Sequence, residues 1–383
     1  MTDGTTITVG LVTDPGLPSR VCDKLARTLP GALTGELGGD VSWEVEATCE
    51  PLLLDAEGAI PVFAIADQYR TRHGWDMVVL VTDLPRRVGV RPIVGDFSTA
   101  HRAALASLPA LGGGFRLRAR LRDLLVHMIG HLAAERLGIS PDPGFERSWP
   151  GRHIPGGPPP RHLGEILAPT RHIGSAYPDV DAHLALTGLR GRLRLLRGMV
   201  YNNRPWRLLP HLASATAAAA ATAAFGIFYW TIWTMAEALP VWRLALINVL
   251  TIAVMVGWLI YYNNLWERPV GPGRAHQAIL YNASTVLTLL VSVACMYATL
   301  YAGTLIAAST VIDATYLSSK VGHPVGPGDY ATLVWLACSM GIVAGALGSS
   351  LDGEEAVRQA TYSRREQERQ ARRRAQEEAA GNP

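Results

Sequence analysis

The run of apolar and polar positions changes character near residue 208. Beyond that point four mostly apolar windows follow one another: about Leu212–Met235, Leu244–Tyr262, Ser284–Thr310 and Tyr330–Ser350. A helix that crosses a bilayer needs roughly 20 such residues. None of the windows carries Asp, Glu, Lys or Arg near its centre. The pattern predicts an α-helical membrane domain of four transmembrane helices over residues 208–351.

Ahead of it the periods are shorter and mixed. Thr5–Thr13 is rich in β-branched residues and stops at Asp14-Pro15-Gly16, which reads as a strand and its turn. Arg20–Leu29 has helical spacing through Val21, Leu25 and Leu29. Val41–Cys49 alternates as a strand with one wet face does. Ile60–Arg72 reads as a helix, and Asp76–Leu84 is an apolar run short enough for a buried central strand. Two shorter strands are expected at Arg91–Gly95 and Ala103–Leu108, then a breaker at Gly112–Gly114 and a long helix from Leu117 to Leu137. Alternation of this kind predicts an α/β head over residues 1–140, a mixed sheet with flanking helices. After the first strand stands TDPGLPSR rather than GxGxxG, so a dinucleotide-binding turn is excluded there.

Residues 141–175, dense in Pro and Gly, read as a linker. Tyr177–Val200 recovers helical spacing, and residues 176–207 form a basic neck carrying Arg190, Arg192, Arg194, Arg197, Arg204 and Arg207 beside Trp206. Arg next to Trp just ahead of an apolar span suits a bilayer interface, so anionic lipid headgroups are the expected partner. The tail, 352–383, mixes Glu, Gln and Arg with almost no apolar stripe and is expected as a solvated helix or disordered.

Charge alters the picture through its distribution, since the formal total is only +3. Basic residues crowd the neck and tail and recur as Arg268 and Arg274 in the second connection, whereas the first and third hold only Arg243 and Lys320. The positive-inside rule then predicts a multi-pass protein of the cell membrane with both termini cytoplasmic. The amino terminus lacks a basic segment followed by an apolar one, so no cleaved signal peptide is expected. Four scattered cysteines suggest neither a disulfide framework nor a zinc ribbon. The arginines at 86, 87, 91, 116, 118, 120 and 122 have no stacking aromatics between them and read as a solvated face, with no nucleic-acid partner expected. Gly341 and Gly345 form a GxxxG, and Ala213–Ala224 is a small-residue surface; both suit helix packing or a homo-oligomer through the spans.

Candidate chemistry sits in the last helix of the head, which reads Leu124-Leu-Val-His127-Met128-Ile-Gly-His131-Leu-Ala-Ala-Glu135. The i, i+4 spacing puts His127 and His131 on one face, as two zinc ligands require. With Val81-Thr82-Asp83-Leu84, Ala103–Leu108 and Arg116–His131 in this order, residues 5–138 resemble the archaemetzincin type of metalloprotease in a degenerate form. That resemblance implies a zincin-like head with zinc on His127 and His131. Against it, Met128 stands where the catalytic Glu belongs, Ala134 replaces a Gly, and Leu137 replaces a third His. His101, His153, His162 and His172 are the remaining candidates for a third ligand, and Glu135 for a base. Asp14, Asp83 and Asp96 stand at strand ends, where open α/β sheets bind ligands, and equally suit turns and helix caps, the reading favoured over a ligand site. The segments LRGRLRLLRGMV, NNRPWRL and GHPVG-GDY-TL-WLA are similar to a group of actinobacterial multi-pass membrane proteins. The favoured expectation is a membrane protein whose head has lost catalysis, holds no cofactor and binds a ligand or partner. A tethered zinc hydrolase and a small transporter or channel subunit with a regulatory head are the alternatives.

Overall fold

A computed structural model describes residues 6–37, 41–55, 60–88, 91–137, 170–174, 180–268 and 275–351. The chain divides between Asn202 and Asn203 into two compact units.

The first unit is built on one sheet. β1 (Thr6–Thr13) lies between β2 (Ser42–Cys49) and β3 (Met77–Thr82), and β6 (Ala103–Ser107) follows β3, all four parallel. β5 (Arg91–Ser98) then runs antiparallel between β6 and β8 (Ala182–Leu186), with β7 (Thr170–Gly174) outside β8; β4 (Arg86–Val88) forms a hairpin with β5. β1 and β3 are central because they are apolar on both sides. Val9, Leu11 and Val12 of β1 and every residue of β3 are buried. Gly10 interrupts β1 for a reason: the Trp75 ring lies on it in the space a side chain would need, while Trp75 Nε1 donates to Glu46 Oε2 at 2.8 Å.

Helices α1 (Leu17–Ala26), α2 (Leu29–Leu37) and α4 (Leu117–Leu137) pack together on one face, and α3 (Val62–His73) covers the other over β3 and β6. Ile65, Ala66 and Tyr69 of α3 close a core with Leu52, Trp75, Val78, Leu80 and Leu105. The sheet reaches beyond the head expected over 1–140. Residues 170–174 and 182–186, assigned above to linker and neck, supply two of its strands. The neck helix, labelled α5, accordingly runs over Gly188–Asn203, and the helical spacing expected from Tyr177 onward gives way to β8. The rest of the Pro/Gly-rich stretch and the charged tail lie outside the described residues.

The second unit contains four helices long and apolar enough to cross a membrane: Leu209–Phe228, Val241–Tyr262, Ala278–Val311 and Pro327–Gly348. α6 (Ala213–Phe228) ends where Tyr229 turns extended, and α7 (Trp230–Ala238) resumes at once. The break frees carbonyls that lipid cannot satisfy; Trp233 Nε1 donates to one of them, Ile227 O, at 2.9 Å. α8 (Val241–Tyr262) and α9 (Ala275–Val311) follow, then the short α10 (Ala314–Val321), capped by Asp313, and α11 (Pro327–Gly348).

α11 is the hub. Of its most apolar stretch 61% is buried, against 33, 28 and 33% for the other three spans in chain order. Its glycines let α6 approach to backbone contact. A Cβ on Gly341 would stand 2.6 Å from Ala219 O, and one on Gly345 2.9 Å from Ala215 O. α9 is longer than a bilayer requires. Its apolar stretch of 34 residues rises about 50 Å against about 30 Å of hydrocarbon. Its first turns carry buried Asn282, Thr285, Thr288 and Ser292. Asn282 exchanges hydrogen bonds with the Glu267 backbone (2.8 and 2.9 Å), Ser292 Oγ donates to Pro205 O (2.9 Å), and Asn203 Nδ2 donates to Thr288 Oγ1 (3.1 Å). Those partners lie just before the first span and just after the second. The polar stripe therefore belongs to the end of the bundle where the first span begins and the second ends.

Candidate functional site

α4 begins after the loop Gly112–Gly114, and the Arg120 guanidinium ties that loop down by donating to Leu111 O and to Gly113 O, the latter at 3.2 Å. Two turns on, His127 and His131 stand on the same side of the helix, their ring centroids 4.7 Å apart and the planes 76° to each other. His127 is buried in the head, and His131, half-buried, stacks on Phe97 of β5 at 5.1 Å. Met128, between them, reaches the sheet at Gly95: a Cβ on that glycine would lie 2.6 Å from the Met128 methyl. The Met128 side chain is thus spent on packing, and a thioether takes no proton.

Two imidazoles are one donor short of the three protein ligands that a catalytic zinc takes. His101 is on the opposite face, stacked on Phe63 of α3 at 4.7 Å with its Nδ1 3.3 Å from Asp67. His172 stands in β7 opposite Leu184 of β8, while His153, His162 and the Glu135 side chain are outside the described residues. Among the described residues no group of three His, Cys, Asp or Glu side chains is placed to hold a metal ion. The donors described do not make a zinc site.

A second cluster lies on the other face of the sheet. Successive side chains of a strand point to opposite faces, so Asp96, next to Phe97, faces away from α4. It is not the strand-end cap expected for it, because β5 continues to Ser98 by pairing with β6. Asp96 Oδ1 meets His183 Nδ1 at 2.6 Å across the β5–β8 ladder, and Oδ2 meets Arg86 at 2.8 Å. Arg86 is accordingly an ion-pair partner rather than part of a solvated face. A carboxylate on Nδ1 fixes the orientation of the imidazole ring. Nε2 of His183 is buried and has no hydrogen-bond partner among the described residues. No spacing rule pairs residues 87 positions apart, so this trio is beyond motif reading.

Asp14 acts as a clamp. It accepts from Leu52 N at 3.0 Å and from Thr82 Oγ1 at 2.6 Å, holding the segment after β2 against the ends of β1 and β3. Asp83, next to Thr82 at the end of β3, is buried, and its carbonyl accepts from Asn202 Nδ2 at 3.4 Å.

The neck arginines fall on two sides of α5. Gly191, Leu195 and Gly198 face the head, Gly198 against the Pro109 carbonyl, whereas Leu189, Arg190, Arg192, Leu193 and Arg197 are exposed. Arg194 Nε donates to Leu111 O at 3.2 Å. In the second unit Arg204 adopts a left-handed backbone (φ 52°), followed by exposed Trp206 and Arg207. Gly341 and Gly345 lie against α6 of the same chain, so a second copy would have to associate through some other surface.

No protein-family model and no curated protein matches the chain. A solved structure to which it is similar is a zinc-dependent peptidase from Methanocorpusculum labreanum, at 21% identity and a TM-score of 0.25, covering 32% of this chain and 80% of that one.

Proposed function

We propose that the protein is a multi-pass membrane protein whose α/β head is a binding module derived from a zincin-like layout without its hydrolytic chemistry. The observation that carries this is Met128, packed over Gly95 where a hydrolase would hold its base. The buried setting of His127 supports it. The head, the second connection and the tail lie on the cytoplasmic side in this reading, supported by the distribution of arginine. The outer side of α5 rests on anionic headgroups: its exposed Leu189 and Leu193 are bordered by Arg190, Arg192 and Arg197, the composition of an interfacial helix.

The test uses the full chain in detergent. Zinc well below one equivalent, unchanged by His131→Asn, and no cleavage of a broad peptide library are expected. Near-stoichiometric zinc that is lost with His131→Asn, together with cleavage abolished by Glu135→Gln, would establish the tethered hydrolase instead. That second reading draws support from the 4.7 Å approach of the two imidazoles on one side of α4. Solute flux in liposomes would favour a transporter, and labelling of the amino terminus from outside intact cells would reverse the orientation.

A further inference from the structure

The loop between β6 and α4 has a shape that its own packing does not require. Gly112 (φ 72°) and Gly114 (φ 104°) take left-handed backbone, a conformation that glycine adopts without steric penalty. Gly113 lies so close to Tyr201 that no Cβ would fit. Arg120 and Arg194 both donate to Leu111 O, and Arg120 also holds Gly113 O. A loop fixed at so many points nonetheless leaves Phe115 uncovered among the described residues, its relative exposure being 110%. Arg116 and Arg118 follow it, both exposed. On its other side, the Arg197 guanidinium of α5 comes within 3.5 Å of where a Gly114 Cβ would be. The loop thus approaches α5 at Arg197, one turn from Leu193 and two from Leu189, which are 64% and 75% exposed.

We propose that Phe115, with Arg116 and Arg118, is a second membrane anchor of the head: its ring enters the interfacial zone of an anionic bilayer while the guanidinium groups meet lipid phosphates. This rests on the reading of α5 as a headgroup-bound helix and extends it to a separate loop. Three observations favour lipid over a protein partner. Positive charge is concentrated here, and burial followed by repulsion from Arg197 and Arg116 lowers the proton affinity of Arg120. An isolated aromatic on a rigid tip bordered by arginines suits a headgroup layer, where a ring has both apolar and polar surroundings. Finally, Tyr201, on which the loop packs, precedes Leu209, the start of the first span, by eight residues, a contour of about 30 Å.

The experiment places an environment-sensitive fluorophore on the full chain, its four native cysteines replaced, at Phe115→Cys, Leu193→Cys or Leu53→Cys. Leu53 is an exposed apolar residue of the loop after β2 and serves as the aqueous reference. The chains are placed in nanodiscs of phosphatidylcholine with or without phosphatidylglycerol, some carrying lipid quenchers at shallow acyl positions. At 115 we expect a blue-shifted emission and at least twofold more lipid quenching than at 53. Most of that excess should vanish without the anionic lipid or with Arg116→Glu and Arg118→Glu. Quenching at 193 but not at 115 overturns the second anchor and leaves the α5 reading standing. Quenching at neither overturns both. A blue shift at 115 that persists in amphipol without lipid assigns the loop to a protein contact and overturns the lipid partner.

Discussion

Removing the Asp96 carboxylate is expected to loosen the strands that the Pro/Gly-rich stretch delivers to the sheet. Asp96→Ala deletes two charge-assisted contacts at once, 2.6 Å to His183 and 2.8 Å to Arg86. The two partners fare differently. The Arg86 side chain is 29% exposed and can turn to water, so its share is discounted; His183, 5% exposed, cannot. Its Nδ1 would join Nε2 in having no partner among the described residues. A buried polar group stranded in this way costs about 1–3 kcal/mol, in addition to about 1.5–3 kcal/mol for the lost charged hydrogen bond. The sum agrees with the roughly 3–5 kcal/mol for breaking a buried pair from one side. For a unit of about 200 residues each kcal/mol shifts Tm by about 2–4 °C, so a fall of about 6–20 °C is expected. Calorimetry of the full chain in detergent measures it, with hydrogen exchange on peptides from β5 and β8 as the local readout. Adding His183→Leu should cost less than the two single changes summed, with a coupling of about 1–3 kcal/mol. A Tm within 2 °C of the parent, measured to roughly the precision that scale allows, or strict additivity of the two changes, would refute the trio as what holds β8 to β5.

Three further outcomes are expected. Gly341→Ala places a methyl 2.6 Å from the Ala219 carbonyl, so the bundle should lose about 1–3 kcal/mol by overpacking; Gly257→Ala in α8 meets nothing within 4 Å and should be neutral or gain up to about 1 kcal/mol. Thermal unfolding of the two variants in the same detergent compares them. Burial, aided by Asp23, pushes the Cys22 thiol up to about 12, so maleimide should modify exposed Cys49 quickly and Cys22 only after denaturation, as peptide mass mapping would show. His323 lies 2.9 Å from Glu237, and its hydrogen bond to the Pro324 carbonyl, then that to Glu237, raises its pKa above the ordinary 6.5. The link is full below that pH and lost as pH rises through the raised value; exchange in α10 should increase over that window, and His323→Ala should remove the pH dependence.

Side-chain period reveals elements that carry it over eight or more residues. Thr6–Thr13, Ser42–Cys49, Leu117–Leu137 and the four long apolar helices all coincide with patterns visible in the bare chain. β7 and β8 do not: β7 lies in a Pro/Gly-rich stretch that reads as linker, and β8 inside a stretch with helical spacing. β8 is held instead by a ladder to β5, whose Asp96 lies 87 positions from His183, and β7 by a ladder to β8. For the same reason the i, i+4 relation of His127 and His131 is readable while the Asp96 trio is not: one is set by helix geometry, the other by strand order. The role of Met128 follows from neither, because it depends on Gly95 facing it from another strand.

The burial imbalance among the four long helices bears on how this chain can drift over generations. Lipid tails accept almost any apolar side chain, so the outward positions of α8, with only 28% of its window enclosed, can exchange Leu, Ile, Val and Phe freely. α11, enclosed over 61% and touching α6 through Gly341 and Gly345, has room at those positions for a hydrogen atom and nothing larger. Variation among descendants should therefore spare one helix and accumulate in its neighbours, a signature that homologous sequences would display without any assay of function.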